Sequence, residues 1–173
     1  MIYIFLIVCV CVYVFAPDCT AMGVTIDSLN HAYIYQFAHA SWLHLGINAL
    51  SMLLIFKPIL RIYEERFGET SQTSFLLLSY LGSVLAALLT AQDIPTVGMS
   101  GMVFFLIGEL VMLRPNQSQI ISLVYMSIAI IVQFIRGKSN VSLHIVAFVL
   151  GALFIILRLL CKRHKERFDS IDE

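Results

Sequence analysis

Charge is what this 173-residue sequence has least of: Asp, Glu, Lys and Arg make up 13% of it, and the 11 basic residues are balanced by 11 acidic ones. With no basic excess and a pI near 6.9, the chain lacks the electrostatic footprint that holds nucleic acid, and that class of partner is set aside. Cysteine is also scarce. Cys9, Cys11, Cys19 and Cys161 form no CxxC pair and no metal-ligand spacing, so they read as small buried hydrophobes. There is no HExxH and no internal repeat, which removes the usual zinc-protease signature and any support for an inverted-repeat transporter.

What fills the space is hydrocarbon. Apolar residues reach 60% and mean hydropathy is +0.89, against about half apolar and about a quarter charged in ordinary soluble domains. A chain of this size leaves much of its surface exposed, so the surplus must face lipid. A spanning helix takes roughly 20 apolar residues. Six stretches come near that length: 2–16, 42–60, 74–91, 97–113, 118–135 and 142–160. The first resembles a signal-peptide core in length but has no basic segment before it and no small-x-small cleavage site after it, so it is read as a span. The expectation is an all-α membrane protein, one domain over 1–173, with a long loop at 17–41 and a tail at 161–173.

Orientation follows from the bias of Lys and Arg toward cytoplasmic loops. An inside N-terminus puts Lys57, Arg61, Arg66, Arg114, Arg158, Lys162, Arg163, Lys165 and Arg167 on one side, and only Arg136 and Lys138 on the other. Both termini are therefore expected in the cytoplasm, with the 17–41 loop outside. The tail KRHKER then serves as an orientation anchor.

On that topology the second, fourth and sixth stretches all run inward from the outer face. Near their outer ends stand His44 and Asn48, Ser100, and His144. With a helix beginning near Val97, Ser100 lies roughly 5 Å inside it; His144 reaches a similar depth if Ser139 or Asn140 caps its helix. Polar groups at one depth on three helices are costly in lipid and turn toward each other. Individually they could be interhelical glue; their common depth favours a site. A serine becomes nucleophilic when a neighbouring base takes its proton, and histidine has the suitable basicity. His44 and Asn48, spaced i and i+4, share a helix face and offer N–H donors to a developing oxyanion. The glycines of the GMSG at 98–101 would let a substrate backbone approach and helices pack closely.

These stretches resemble a known family. HASWLHLGIN at 39–48 is similar to the His-x4-His-x3-Asn of the second span in rhomboid intramembrane serine proteases, GMSG at 98–101 to their Gly-x-Ser-Gly, and His144 to their sixth-span histidine. The resemblance runs over essentially the whole chain, including EERFG after the second span. It implies a six-transmembrane-helix rhomboid-like bundle, with Ser100 as nucleophile and His144 as base. It also implies an oxyanion hole from His44, Asn48 and the Ser100 backbone N–H, and a structural role for His39 in the outer loop. The substrates it implies are transmembrane segments of other proteins, entering from the lipid bilayer. No metal or cofactor and no particular oligomeric state are implied, and the location is the cell membrane. The family's Trp-Arg in the first outer loop is here Asn30-His31, and its two sixth-span glycines are Ala147 and Gly151.

Two other readings are carried alongside. One is a catalytically inactive rhomboid-like protein that binds membrane clients; the other is a metal or haem site on His39, His44 and His144, which has no carboxylate at that depth. Of the remaining polar residues, Glu109 lies about 13 Å deeper than Ser100 and is expected to reach toward Arg114 or Lys57. Asp93 is expected in the turn before the fourth span, as a solvated residue or a cap. Gln133 is expected near the outer end of the fifth span, and Trp42 at an interfacial anchoring depth.

Overall fold

A computed structural model of the chain describes residues 1–16, 18–114, 124 and 140–169. The expected fifth stretch at 118–135, Gln133, Arg136, Lys138 and Ser139 lie outside the described residues. Within them there are five α-helices and no strand: α1 (Ile2–Phe15), α2 (Trp42–Phe67), α3 (Gln72–Leu89), α4 (Ser100–Leu113) and α5 (Val141–Asp169). Three 3-10 turns, Cys19–Met22, Ile26–Tyr33 and Tyr35–Phe37, fill the loop between α1 and α2. Helices α2, α3 and α5 are long and apolar enough to cross a membrane, while α1 and α4, at 14 residues each, are apolar but shorter.

Local chemistry sets the ends. Helix α1 stops at Ala16, whose extended conformation (φ −76°, ψ 127°) is the one favoured before a proline. Ser41 caps α2 by accepting from the His44 N–H at 3.1 Å, and Ser71 caps α3 through the Ser74 N–H at 3.0 Å. At the far end of α2, Gly68 takes φ 90°, a value that a side chain disfavours. Helix α4 begins three residues later than the sequence suggests. Gly98, at φ 108°, turns the backbone so that its N–H reaches the Tyr35 carbonyl at 2.9 Å, and Val97 to Met99 are drawn into the loop.

The faces of α3 explain how the helices pack. Leu77, Leu81, Leu85 and Leu89 point outward, each more than 45% exposed, whereas Ser79, Ser83, Ala86 and Ala87 are buried. Small residues inside and leucines outside is the pattern of a helix whose surrounding solvent is lipid, where association depends on close contact rather than on expelling water. Helices α4 and α5 approach closest of all. A Cβ added at Gly108 would run into the Phe148 carbonyl, and one added at Gly151 into the Phe105 carbonyl. Ala147, where the family more often has glycine, is fully buried beside α4 without displacing it.

The loop preceding α2 is pinned across the mouth of the bundle. Val24 and Thr96 exchange backbone hydrogen bonds at 3.0 Å, the Ile26 N–H donates to the Gln92 carbonyl at 3.2 Å, and the Tyr80 hydroxyl donates to the Tyr33 carbonyl. At the opposite end basic side chains close the helices, as helix C-termini favour. Arg66 donates to the Leu113 carbonyl at 3.1 Å and Lys162 to the Arg66 carbonyl at 2.6 Å. Arg114 pairs with Glu65, and Lys57 donates to the Tyr3 hydroxyl.

Glu109 therefore differs from its expectation. Both proposed cations are engaged elsewhere, and the carboxylate is turned into the core with no exposed surface and no hydrogen-bond partner among the described residues. Asp93 is exposed and is no cap, because α4 starts at Ser100 with Met99 at the N-cap position and no side-chain cap.

Candidate active site

Ser100 is the first residue of α4 and so projects from the helix mouth, rather than one turn inside it. His144 stands in the first turn of α5. The cap there is Asn140, whose Oδ1 accepts from the Leu143 N–H at 3.0 Å while Nδ2 donates to the Thr90 carbonyl at 2.8 Å and to the Thr96 hydroxyl at 3.2 Å. One carboxamide thus ties the start of α5 to the end of α3 and to the loop that delivers Ser100.

The result is a close pair. The Ser100 hydroxyl and Nε2 of His144 are 2.9 Å apart, within the reach proton transfer requires. The imidazole is held flat against the Phe104 ring, one turn below Ser100, at 4.4 Å between centroids and 18° between planes. Both Ser100 and His144 keep part of their surface accessible.

His44 and Asn48 approach the same place from α2, and Gly98 is where they meet it. A Cβ at residue 98 would stand 2.8 Å from Nε2 of His44 and 3.2 Å from Nδ2 of Asn48. The Ala40 N–H donates to Nδ1 of His44 at 3.4 Å, so the neutral ring carries its own proton on Nε2, the nitrogen next to Gly98. Nδ2 of Asn48 is buried and has no acceptor among the described residues. Buried donors are nearly always matched; this unmatched one stands beside Gly98, two residues before Ser100.

Two supports of the site were not singled out from sequence. Tyr35 is fully buried; its carbonyl holds the Gly98 N–H, and its hydroxyl contacts Ser83 at 2.5 Å to Oγ and 3.1 Å to the carbonyl. Gly101 exists for this contact, since a Cβ there would strike Ser83 Oγ and stand 2.7 Å from the Tyr35 hydroxyl. The glycines around Ser100 thus serve internal packing; the clearance they give is filled by this protein's own side chains. No local signal marks Tyr35 or Ser83, which are 48 residues apart.

His39 is buried at the base of the loop, its ring 5.2 Å from that of His44. Its Nδ1–H donates to the Phe37 carbonyl at 3.3 Å. Burial, with His44 nearby, lowers its pKa to about 4. Among the described residues no three His, Cys, Asp or Glu side chains come together as a metal-binding group.

A helical membrane architecture, a serine at a helix mouth bonded to a histidine, and a donor-bearing helix beside them now stand together. The Rhomboid domain family model matches residues 27–161, from the loop before α2 to the second half of α5. The chain belongs to the rhomboid family. It is an integral membrane protein, and rhomboids as a class act on transmembrane substrates within the bilayer. No curated protein matches it.

Proposed function

We propose that this rhomboid is an active intramembrane serine endopeptidase, and the observation that carries the proposal is the 2.9 Å approach of Ser100 Oγ to His144 Nε2. In this reading His144 accepts the Ser100 proton as Oγ attacks the scissile carbonyl carbon. The carbonyl oxygen, now anionic, takes hydrogen bonds from Asn48 Nδ2–H, His44 Nε2–H and the Ser100 N–H. That N–H belongs to the first residue of α4, where amides have no intrahelical acceptor and the helix dipole favours negative charge. Collapse of the intermediate breaks the C–N bond; His144 returns its proton to the departing amine, leaving an acyl ester on Ser100. Water, activated by the same imidazole, hydrolyses the ester and regenerates the hydroxyl.

No carboxylate is needed in this scheme. Phe104 stacking and the Asn140 cap orient the imidazole, the role an aspartate plays in soluble triads. The substrate is the transmembrane segment of another protein, arriving from lipid. Six spans with both termini cytoplasmic and the site near the outer face of the cell membrane complete the proposal, supported by the nine-to-two distribution of Lys and Arg.

The test is cleavage of a model transmembrane substrate by the full chain in proteoliposomes. Wild type should cut it in the presence of chelator, and Ser100→Ala should not. Equal cleavage by the variant would falsify the dyad. No cleavage by either protein, across substrates with varied segments, would favour the client-binding reading instead.

A further inference from the structure

Away from Ser100, a cavity of about 400 Å³ opens between the start of α3 and the second half of α5. Its lining joins Arg158 of α5 to Tyr63, Glu69, Thr70, Ser71 and Ser74. Arg158 lies 17 residues beyond Val141, about 25 Å along the axis. Across a hydrocarbon core of about 30 Å, that is the headgroup level of the leaflet opposite the serine.

The guanidinium is placed with care. Its Cζ sits 5.5 Å from the Tyr63 ring centroid and 5.2 Å from that of Phe67, close enough for cation–π attraction to fix its position. None of its donors meets an acceptor among the described residues. Glu69, on the same lining, is unpaired too: the ion pairs among the described residues are Arg61–Glu65, Arg114–Glu65 and Lys162–Glu166. One cavity therefore presents a positive and a negative group that do not neutralise each other, with hydroxyls on the wall between.

A simple anion would be attracted by Arg158 and opposed by Glu69, and a simple cation the reverse. Only a ligand carrying both signs satisfies the lining. Guanidinium suits the oxygens of a phosphodiester, and a carboxylate is best met by an ammonium that still has N–H to donate. We propose that this cavity binds the headgroup of a zwitterionic phospholipid with a primary amine, phosphate on Arg158 and ammonium on Glu69. The acyl chains would run along the outward face of α3, past Leu77 and Leu81. The inference is independent of proteolysis.

The experiment is native mass spectrometry of the full chain in neutral detergent, titrated with dioleoyl phosphatidylethanolamine, phosphatidylcholine, phosphatidylglycerol or free phosphoethanolamine. Phosphatidylethanolamine should be retained about tenfold more tightly than phosphatidylcholine, as one charge-assisted hydrogen bond warrants. Arg158→Gln should lower that retention about tenfold or more. Glu69→Gln, at an exposed residue without a partner and so without consequence for folding, should erase the preference for the ethanolamine over the choline lipid. Equal retention of the ethanolamine and choline lipids by wild type, or retention untouched in both variants, would overturn the proposal. Free phosphoethanolamine binding as tightly as the lipid would replace it with a soluble ligand.

Discussion

Gly98 carries more of the site than its size suggests. It holds φ 108°, donates to Tyr35, and leaves the space that Nε2 of His44 and Nδ2 of Asn48 occupy. Gly98→Ala should therefore strain the turn and push on both donors together. Cleavage is expected to fall on the order of 10²-fold, with the full chain still folded by circular dichroism. Asn48→Ala removes one oxyanion donor and should lower kcat by about 10²- to 10³-fold with KM nearly unchanged. A rise in KM alone would assign Asn48 to substrate binding.

His39 supplies a prediction of another kind. Its pKa is about 4 in the folded chain and about 6.5 when unfolded, so above pH 6.5 both states are neutral and stability is complete. As pH falls from 6.5 toward 4, only the unfolded chain takes up the proton, and stability is lost by up to about 3 kcal/mol. Thermal unfolding in detergent at pH 7 and pH 4.5 should show a larger drop for wild type than for His39→Gln. An identical drop would mean that His39 is solvated. The site shows what a sequence displays and what it hides. His44, Asn48, Ser100 and His144 were legible as polar types at one depth in apolar runs. The function of Gly98 was not, because it depends on what lies across from it.

At the scale of elements, two devices set the relation of Ser100 to His144. The first is the Asn140 carboxamide, which caps α5 and holds Thr90 and Thr96 at once. Asn140→Ala should cost about 1–2 kcal/mol from the lost cap and, since His144 is one turn further on, should reduce cleavage by more than that stability loss explains. The second is the α4–α5 contact. Gly108→Ala or Gly151→Ala places a methyl against a backbone carbonyl; each should destabilise by about 1–3 kcal/mol, read as a lower unfolding midpoint, and depress activity as the serine and histidine helices separate. The apolar runs in the sequence located these helices but not their ends. Helix α4 begins at Ser100 because Gly98 and Tyr35 bond across the loop, a contact between residues 63 positions apart, and hydropathy carries no trace of it.

For the molecule as a whole, the cost of polar groups in a lipid-embedded core decides the balance. Most of them are matched; among the described residues Gln36, His39, Asn48 and Glu109 keep buried side-chain atoms without a hydrogen-bond partner, and Glu109 is the carboxylic acid of the four. Its sequence position, five residues before Arg114, suggested an ion pair at the interface; α4 is instead buried on every face from Gly101 to Leu110, and Glu109 is enclosed with it. An unmatched buried polar group costs about 1–3 kcal/mol by the evidence of protein substitutions. Glu109→Met, of similar volume and apolar, should raise the thermal midpoint in detergent. A lowered midpoint would mean that the carboxyl has a partner essential to the fold.

The account rests most heavily on the joining of one hydroxyl and one imidazole from different helices. The measurement that addresses it directly is covalent labelling of the purified chain by a fluorophosphonate, with the adduct located by peptide mass spectrometry. The label should fall on Ser100 alone and be lost in His144→Ala while that variant keeps its helical circular dichroism. A label on another serine, or undiminished labelling of Ser100 without the histidine, would contradict the account.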